Sequence, residues 1–242
     1  MLRRFFFLFL MLAAVVHAED APPLLDATVV IQRMLAHRAR QDFSLQARLD
    51  ISRDKSTNLT MLVRNTPNET RTLLKAGTSE LLIVQPVTGM PRWFLRGSGE
   101  LTGARLMEKW LGSEFTFYDL GMPFLRWPDA KLTGEARARG QDCLLLELTA
   151  TNQPYGRVKL WVEQRYFALL RAEVFDPNEA LVRRLAITSF KRLGEVWIPR
   201  GIEMSSIPPN QALPAEEKSR LEFYTGDYAA KLPPEWFAEE KF

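Results

Sequence analysis

The sequence predicts a mainly β protein in which a single large antiparallel sheet curls around its own apolar face. Short apolar runs of strand length recur along most of the chain with turn-forming residues between them, and no helix pattern alternates with them as a parallel sheet would require. Several runs are apolar at consecutive positions, such as "LLIV" (81–84), "WFL" (93–95) and "CLLLEL" (143–148). A strand with one wet face would alternate, so parts of the sheet are covered on both sides or face an apolar cavity.

The first 18 residues have the pattern of a secretory signal peptide. Two arginines precede the apolar run "FFFLFLMLAAVV", and a small residue, Ala18, ends the region. The apolar run is shorter than the ~20 residues that a membrane-spanning helix needs. We therefore expect cleavage before Glu19 and a mature protein in the bacterial periplasm. Residues 19–242 are expected to form one domain, because no linker or repeat divides them.

The composition argues against nucleic acid as the main partner. The formal net charge is +3, and loss of the two arginines of the signal peptide leaves the mature chain nearly neutral. Surfaces that bind nucleic acid need a clear excess of positive charge. The apolar fraction of 46% is sufficient for a sizeable core.

A helix and a strand are the first elements predicted after the signal peptide. Between Leu25 and Arg40 apolar residues recur at three- and four-residue spacing, and Asp26 can act as the cap. The predicted apolar stripe of this helix consists of Leu25, Val29, Ile31, Met34 and Leu35. The next segment, "FSLQARLDIS" (43–52), alternates strictly, which is typical of a half-buried strand. Its apolar face consists of Phe43, Leu45, Ala47, Leu49 and Ile51.

Further strands follow as a meander on both sides of an irregular middle segment. Separators such as "NTPNE" and "PVTGMP" are rich in turn formers, and "DPNE" (176–179) fits a type I turn within a hairpin. Between Gly97 and Ala130 the strand pattern stops, and "LTGARLMEKWLG" (101–112) can form a short helix. The tail from Lys231 onwards is expected to be extended and partly ordered. With the first strand there are about eleven or twelve strands, the others being 58–64, 70–75, 81–85, 92–96, 130–138, 142–149, 157–163, 168–175, 181–190, 196–204 and 220–224.

Few residues in the chain could carry catalysis or hold a metal. Cys143 is the only cysteine, and its strand-like surroundings predict a small buried hydrophobe rather than a reactive thiol. His37 is the one histidine that remains after loss of the signal peptide, and its place near a helix end predicts a solvated side chain. One histidine and one cysteine far apart make neither a zinc site nor a nucleophile–histidine pair. We therefore expect no cofactor and no metal.

The stretch "LGSEFTFYDLG" (111–121) places two acids, Glu114 and Asp119, beside three aromatic residues. Glycosidases use two carboxylates that flank one bond, so a glycan-acting enzyme is one interpretation. The other interpretation is structural: Asp119 caps or ties down a bent loop, while Glu114 faces water. We favour the structural interpretation.

The later strands carry many basic residues. Such a set usually forms a solvated face, and the alternative is a docking surface for anionic lipid or for a membrane partner. The basic residues are Arg157, Lys159, Arg165, Arg171, Arg183, Arg184, Lys191 and Arg192.

Four stretches follow one another between Gly112 and Met204: "LGSEFTFYDLG", "GQDCLLLELTA", "YGRVKLWVEQRYFALLRAEVFDPNEALVRRLAI" and "GEVWIPRGIEM". This ordered set resembles the outer membrane lipoprotein-sorting family related to the carrier LolA. That family has a Gly-Ser-Asp-Phe-Ser-Tyr-Glu-Asp-Leu-like motif, a strand pair, a turn containing tyrosine, a Trp-Val strand and an acidic hairpin. In this chain Glu114 stands where the family usually has Asp, and Thr116 where it often has Ser. An arginine closes the lid in LolA itself, and Arg48 is a candidate for it here.

The resemblance implies a half-open antiparallel barrel in which an N-terminal helix and a short middle helix cover an apolar cavity. It implies a periplasmic carrier, not an enzyme, that binds acyl chains of a lipoprotein or lipid. Its partners would be an inner-membrane exporter and an outer-membrane acceptor, and we expect it to act as a monomer. The alternative is a lipid-sensing or scaffolding module that binds a membrane protein.

The resemblance also predicts the residues of the site. Three residues of the motif, Glu114, Tyr118 and Asp119, are expected at the rim of the half-barrel. The side chains expected to line the cavity are Phe43, Leu45, Leu49, Ile51, Met61, Ile83, Trp93, Leu95, Phe115 and Phe117.

Overall fold

The computed structural model describes residues 26–36, 39–208 and 217–242. The predicted signal peptide and His37 lie outside these residues, so both expectations about them stay predictions. Among the helices of the described residues, none combines the length and the hydrophobicity that crossing a bilayer requires.

The described residues form one antiparallel sheet of thirteen strands, which confirms the predicted fold class. Across the sheet the strands follow the order 6-5-4-3-2-1-13-12-11-10-9-8-7, numbered along the chain. The two end strands of this order are not paired with each other, so the curled sheet is a half-open barrel. The strands are β1 (Phe43–Asp50), β2 (Ser56–Asn65), β3 (Glu69–Ala76), β4 (Ser79–Pro86), β5 (Arg92–Leu95), β6 (Gly99–Leu101), β7 (Asp129–Ala138), β8 (Gln141–Thr149), β9 (Arg157–Glu163), β10 (Leu169–Phe175), β11 (Leu181–Leu193), β12 (Val196–Ser206) and β13 (Glu217–Tyr228).

The middle segment is more structured than its sequence pattern predicts. It begins with the edge strand β6, whose three residues are too few to show an alternation. The predicted helix in 101–112 consists of two 3₁₀ turns, Gly103–Met107 and Trp110–Gly112. Glu108 and Lys109, which lie between the two turns, are extended with ψ of 143° and 123°, and this prevents the turns from joining into one helix. The α-helix of this segment is α2 (Phe117–Gly121), inside the motif.

Two meanders meet in the centre of the sheet, where β1 pairs with β13. The first meander runs outwards from β1 to β6, and the second runs inwards from β7 to β13. The middle segment must therefore connect one edge of the sheet to the other. It does so across the concave face, because its aromatic residues Trp110, Phe115 and Phe117 belong to the same core cluster as the inward side chains of β1.

The convex face of β2–β5 is covered by the C-terminal tail, which explains the consecutive apolar residues of "LLIV". Leu81 and Ile83 belong to the main core, whereas Leu82 and Val84 pack in a second cluster together with Phe237. The tail forms 3₁₀ turns at Pro234–Phe237 and Glu239–Lys241. The expectation of a partly ordered, extended tail is therefore wrong, because this apolar outer face needs a cover.

The N-terminal helix α1 (Ala27–Ala36) lies within the predicted range and packs near β7. Its buried residues are Ala27, Val30 and Ile31, whereas Val29 of the predicted stripe is exposed. Cys143 is fully buried in a small cluster with Trp161 and Leu170, as expected of a small hydrophobe. Burial raises the pKa of its thiol, which lowers its reactivity further.

Candidate ligand-binding cavity

An apolar cavity of about 330 Å³ lies on the concave side of the sheet. Its walls come from β1–β4 on one side and from β11–β13 on the other. The middle segment covers it with Phe115, Asp119, Leu120 and Met122. Ala39 also lines it, but none of the residues of α1 does. Among the described residues, the cover is therefore the middle segment, and a lid role for the N-terminal helix stays a prediction.

Half of the predicted cavity residues line this space. Phe43, Leu45, Met61, Ile83 and Phe115 do so. Their role in ligand binding itself remains a prediction, since the structure holds no ligand.

The other five predicted residues, Leu49, Ile51, Trp93, Leu95 and Phe117, pack against the main core away from the cavity. Leu49 shares the face of Leu45 but lies four residues further along β1, which is ~13 Å at the rise of an extended strand. An alternating pattern gives the face of a side chain, but it does not say where along the strand a cavity ends.

Sequence reasoning missed an important part of the wall. Val196, Trp197, Ile198 and Pro199 at the start of β12 all line the cavity. The sequence signal for these residues was the unbroken apolar run "VWIP" at the start of the predicted strand 196–204. An unbroken run of this kind indicates apolar surroundings on both faces of the strand.

The cover is fixed by a capping box at the start of α2. The Asp119 backbone N–H donates to the hydroxyl of Thr116 at 3.1 Å, and the Thr116 backbone N–H donates to the Asp119 carboxylate at 3.0 Å. Met122 ends the helix in the left-handed region with a φ of 44°. This confirms that Asp119 caps the loop.

Asp119 also forms a buried ion pair with the sheet. Arg183 of β11 reaches the Asp119 carboxylate at 2.6 Å, and both side chains are almost fully buried. The hydroxyl of Tyr155 donates to the other carboxylate oxygen at 3.1 Å. Burial, followed by the nearby Asp119 charge, raises the pKa of Tyr155, so its hydroxyl remains a donor. An ion pair that is buried away from water needs further hydrogen bonds to offset the cost of desolvation, and the Tyr155 hydroxyl supplies one here.

The expectation that Glu114 faces water is wrong, because this residue is only 5% exposed. Lys109 donates to its carboxylate at 2.5 Å, and the hydroxyl of Ser206 donates to the other oxygen. Arg183 donates to its backbone carbonyl. Burial by itself would raise the pKa of the Glu114 carboxyl, but the hydrogen bonds from Lys109 and Ser206 outweigh it and hold the pKa below its ordinary value.

Aromatic contacts join α2 to both halves of the sheet. Tyr118 stacks on Trp93 of β5 at 6.1 Å between ring centroids and meets Tyr155 edge-on at 5.4 Å. Its hydroxyl donates to the Gln153 side chain at 2.9 Å, and burial raises its pKa to about 12. Gly121 lies so close to Trp93 that a Cβ atom there would overlap the indole ring. Tyr118 is therefore a buried part of the cover.

Four of the eight basic residues of the later strands are engaged in ion pairs, and the docking role of the set stays a prediction. Arg183 points inwards to Asp119, and Arg157 pairs with Glu179 at 2.6 Å. Arg171 and Arg184 both reach the carboxylate of Glu173.

Arg48 does not close a lid. It lies on the outer face of β1 and pairs with Asp50 at 2.6 Å, with half of its side chain exposed. Arg183 is the arginine that contacts the cover. No group of three or more metal-ligating side chains occurs in residues 26–36, 39–208 and 217–242.

The same half-open barrel occurs in other solved structures. A DUF1329 family protein from Desulfovibrio piger aligns with a TM-score of 0.75 at 17% identity, over 88% of this chain and 96% of its own. A putative outer membrane lipoprotein-sorting protein domain from Vibrio parahaemolyticus gives 0.77 at 14% identity, over 88% and 97%. A LolA superfamily protein from Nitrosomonas europaea gives 0.59 at 18% identity, over 90% and 100%. These likenesses confirm the predicted resemblance at the level of the fold.

The chain therefore has the half-open barrel fold that these LolA-like structures share. A family model described as "Uncharacterized protein" matches residues 95–242. This match covers more than half of the chain, and the chain belongs to that family. None of the curated proteins compared with it matches.

Proposed function

We propose that the protein is a periplasmic carrier that binds an acyl chain of a lipoprotein or lipid in the cavity under α2. It would receive this cargo from an inner-membrane exporter and deliver it to an outer-membrane acceptor. The observation that carries the proposal is the cavity itself, whose walls are mainly apolar side chains and whose cover is a short segment joined to the sheet by specific polar contacts.

The physical need for such a cavity follows from the hydrophobic effect. Exposing an acyl chain to water costs ~0.8 kcal/mol per methylene, so a chain of about sixteen carbons costs on the order of 10 kcal/mol. A carrier that encloses the chain removes most of this barrier. The cavity of about 330 Å³ is near the lower end of the ~300–1,000 Å³ typical of ligand pockets. A long chain therefore requires α2 to move outwards as the cavity fills.

The two acids of the motif support binding rather than glycan hydrolysis. Asp119 is paired with Arg183, and Glu114 is paired with Lys109. A general acid needs a raised pKa so that it holds its proton at neutral pH, whereas the pKa of Glu114 is lowered. Both carboxylates hold the cover in place.

A charge placed in the cavity wall tests the proposal. Met61 lines the cavity and is half-buried, so a carboxylate there is less completely removed from water than one in the packed core. We expect Met61→Glu to fold with a modest loss of stability but to lose uptake of a fluorescent fatty acid that the wild type binds. Mass spectrometry of organic extracts of the purified wild type should identify a copurifying acyl lipid.

Leu49→Glu is the matched control for Met61→Glu. Leu49 is on the same side of the sheet but is fully buried in packed core, so a charge there should prevent folding. If the wild type binds no acyl probe and carries no lipid, the carrier proposal fails. A scaffolding module that binds a membrane protein would then be the better interpretation.

A further inference from the structure

The cavity reaches one particular end of the sheet. Its lining includes Asn65, Thr70 and Gln85, which are register neighbours at the ends of β2, β3 and β4. The β11–β12 hairpin emerges at the same end, because Gly194 at its turn packs directly on the ring of Tyr228, the last residue of β13. Phe43, at the start of β1, pairs with Tyr228 and also lines the cavity. We call this end, which carries Asn65, Thr70, Gln85 and Trp197, the mouth end.

Large apolar side chains are exposed at the mouth end. Trp197 on the β11–β12 hairpin is 67% exposed even though it lines the cavity. Val87 and Met90 are exposed on the β4–β5 loop, and the backbone N–H of Val87 donates to the carbonyl of Asn68 in the adjacent β2–β3 turn at 2.8 Å. Exposed apolar groups beside a binding cavity mark an interaction surface. An exposed tryptophan is also the residue type that prefers the membrane–water interface.

The charge of the hairpin complements an anionic surface. Between positions 191 and 200 it carries Lys191, Arg192 and Arg200 against one acid, Glu195. Lys191 donates to the carbonyl of Tyr224 at 2.7 Å, and Arg192 donates to the carbonyl of Gly194 at 3.0 Å, so the acceptor in each contact is a neutral carbonyl and not a carboxylate. Arg200 is 3.6 Å from Glu222, and this carboxylate partly offsets the positive charge that Arg200 adds to the hairpin. The β4–β5 loop, residues 87–91, has no charged side chain that would oppose burial of Val87 and Met90 in the head groups.

We propose that the mouth end docks on a bilayer that contains anionic phospholipid. Trp197, Val87 and Met90 enter the head-group region, while Lys191 and Arg192 lie beside the phosphates. Docking in this orientation lets an acyl chain pass between bilayer and cavity without crossing water. The transfer of cargo rests on the proposed function, whereas the docking itself does not.

Vesicle flotation tests the docking. The full-length mature protein is mixed with phosphatidylcholine vesicles that contain or lack phosphatidylglycerol. We expect flotation with the anionic vesicles, and weaker flotation at high salt because screening reduces charge attraction. Trp197→Ala and the double variant Val87→Ser/Met90→Ser should float less. Arg192→Gln should weaken binding roughly fivefold, the factor expected for one basic residue at an anionic surface.

Matched controls lie at the opposite end of the sheet. Trp236→Ala removes an exposed tryptophan next to Lys75 of β3, and Arg53→Gln removes an exposed charge in the turn between β1 and β2. Both should float as the wild type does. The docking proposal would be overturned if these controls lost as much flotation as the mouth-end variants, or if the wild type did not float with anionic vesicles.

Uptake of the fatty-acid probe in vesicle-free solution is measured in parallel. The variant Val87→Ser/Met90→Ser should keep normal uptake, because neither residue lines the cavity. Uptake by a wild type that does not float would refute docking and leave the carrier proposal standing, with a membrane protein as the docking partner. Flotation without uptake would support docking and refute the carrier.

Discussion

At the scale of single residues, the buried ion pair between Arg183 and Asp119 holds the cover of the cavity on the sheet. Arg183 belongs to the sheet, and Asp119 belongs to α2, so the pair joins two elements that lie on different sides of the cavity. Breaking a buried pair by removing one partner leaves an uncompensated charge without water. Arg183 has further acceptors in the Glu114 carbonyl and the Ser206 hydroxyl, but neither carries a full charge.

We expect Asp119→Ala to lower the free energy of unfolding by about 3–5 kcal/mol, measured by urea denaturation. The control Asp50→Ala removes the partner of Arg48 in an exposed pair and should cost no more than about 1 kcal/mol. The double variant Asp119→Ala/Arg183→Met should be more stable than Asp119→Ala, because no buried charge remains. Similar small losses in Asp119→Ala and Asp50→Ala would show that the buried pair does not hold the cover.

At the scale of elements, α2 is a short helix held by its neighbours rather than by its own length. A helix of five residues is not stable alone, so its capping box and its contacts with Trp93 and Tyr155 decide its position. Gln85 of β4 adds a hydrogen bond to the carbonyl of Gly121 at 3.1 Å. Because side-chain contacts rather than sheet pairing hold α2, it can move without unfolding the sheet, as the proposed carrier role requires.

Substitution of Gly121 should open the cover. Alanine normally stabilises a helix by roughly 0.5–1 kcal/mol relative to glycine, but here its Cβ would overlap the indole of Trp93. We expect Gly121→Ala to be less stable than the wild type and to take up the fatty-acid probe faster in stopped-flow measurements. Trp93→Phe removes the indole atoms that clash, so Gly121→Ala/Trp93→Phe should take up the probe at the rate of Trp93→Phe alone. Unchanged uptake in Gly121→Ala would mean that α2 does not limit access.

On the scale of the whole molecule, both faces of the β2–β5 part of the sheet are covered, and the two covers have different roles. The concave cover lies over a cavity, whereas the convex cover is packed core formed by Phe237 against Leu82 and Val84. Arg71 donates to the carbonyl of Phe237 at 2.7 Å, and Arg92 pairs with Glu239 at 2.8 Å. The tail is thus part of the packed scaffold that carries the cavity and its cover.

Phe237→Ala separates the two roles. It should lower the free energy of unfolding by about 3–5 kcal/mol, as for other buried aromatic side chains, yet leave the affinity for the fatty-acid probe unchanged at a temperature where the variant is folded. The neighbouring exposed Trp236 is the control, and Trp236→Ala should cost less than about 1 kcal/mol. A loss of probe affinity in Phe237→Ala without unfolding would show that the two faces are coupled.

The sequence by itself determined the local structure of this protein. The strict alternation from Phe43 to Ile51 predicted β1, the "DPNE" turn predicted the β10–β11 hairpin, and the run around Cys143 predicted a buried strand. These features depend on neighbouring residues, because a strand alternates every second position and a turn needs particular residue types. The resemblance of 112–204 to the lipoprotein-sorting family also predicted the curled sheet correctly.

Only the tertiary structure decided where the cavity lies and what covers it. Glu114 is buried because Arg183, 69 positions away, and Ser206, 92 positions away, are brought beside it by the curl of the sheet. Leu45 and Leu49 have the same pattern and the same face, but only Leu45 reaches the cavity. A residue pattern fixes which way a side chain points, whereas its neighbours in space depend on pairings between distant strands, which no local pattern encodes.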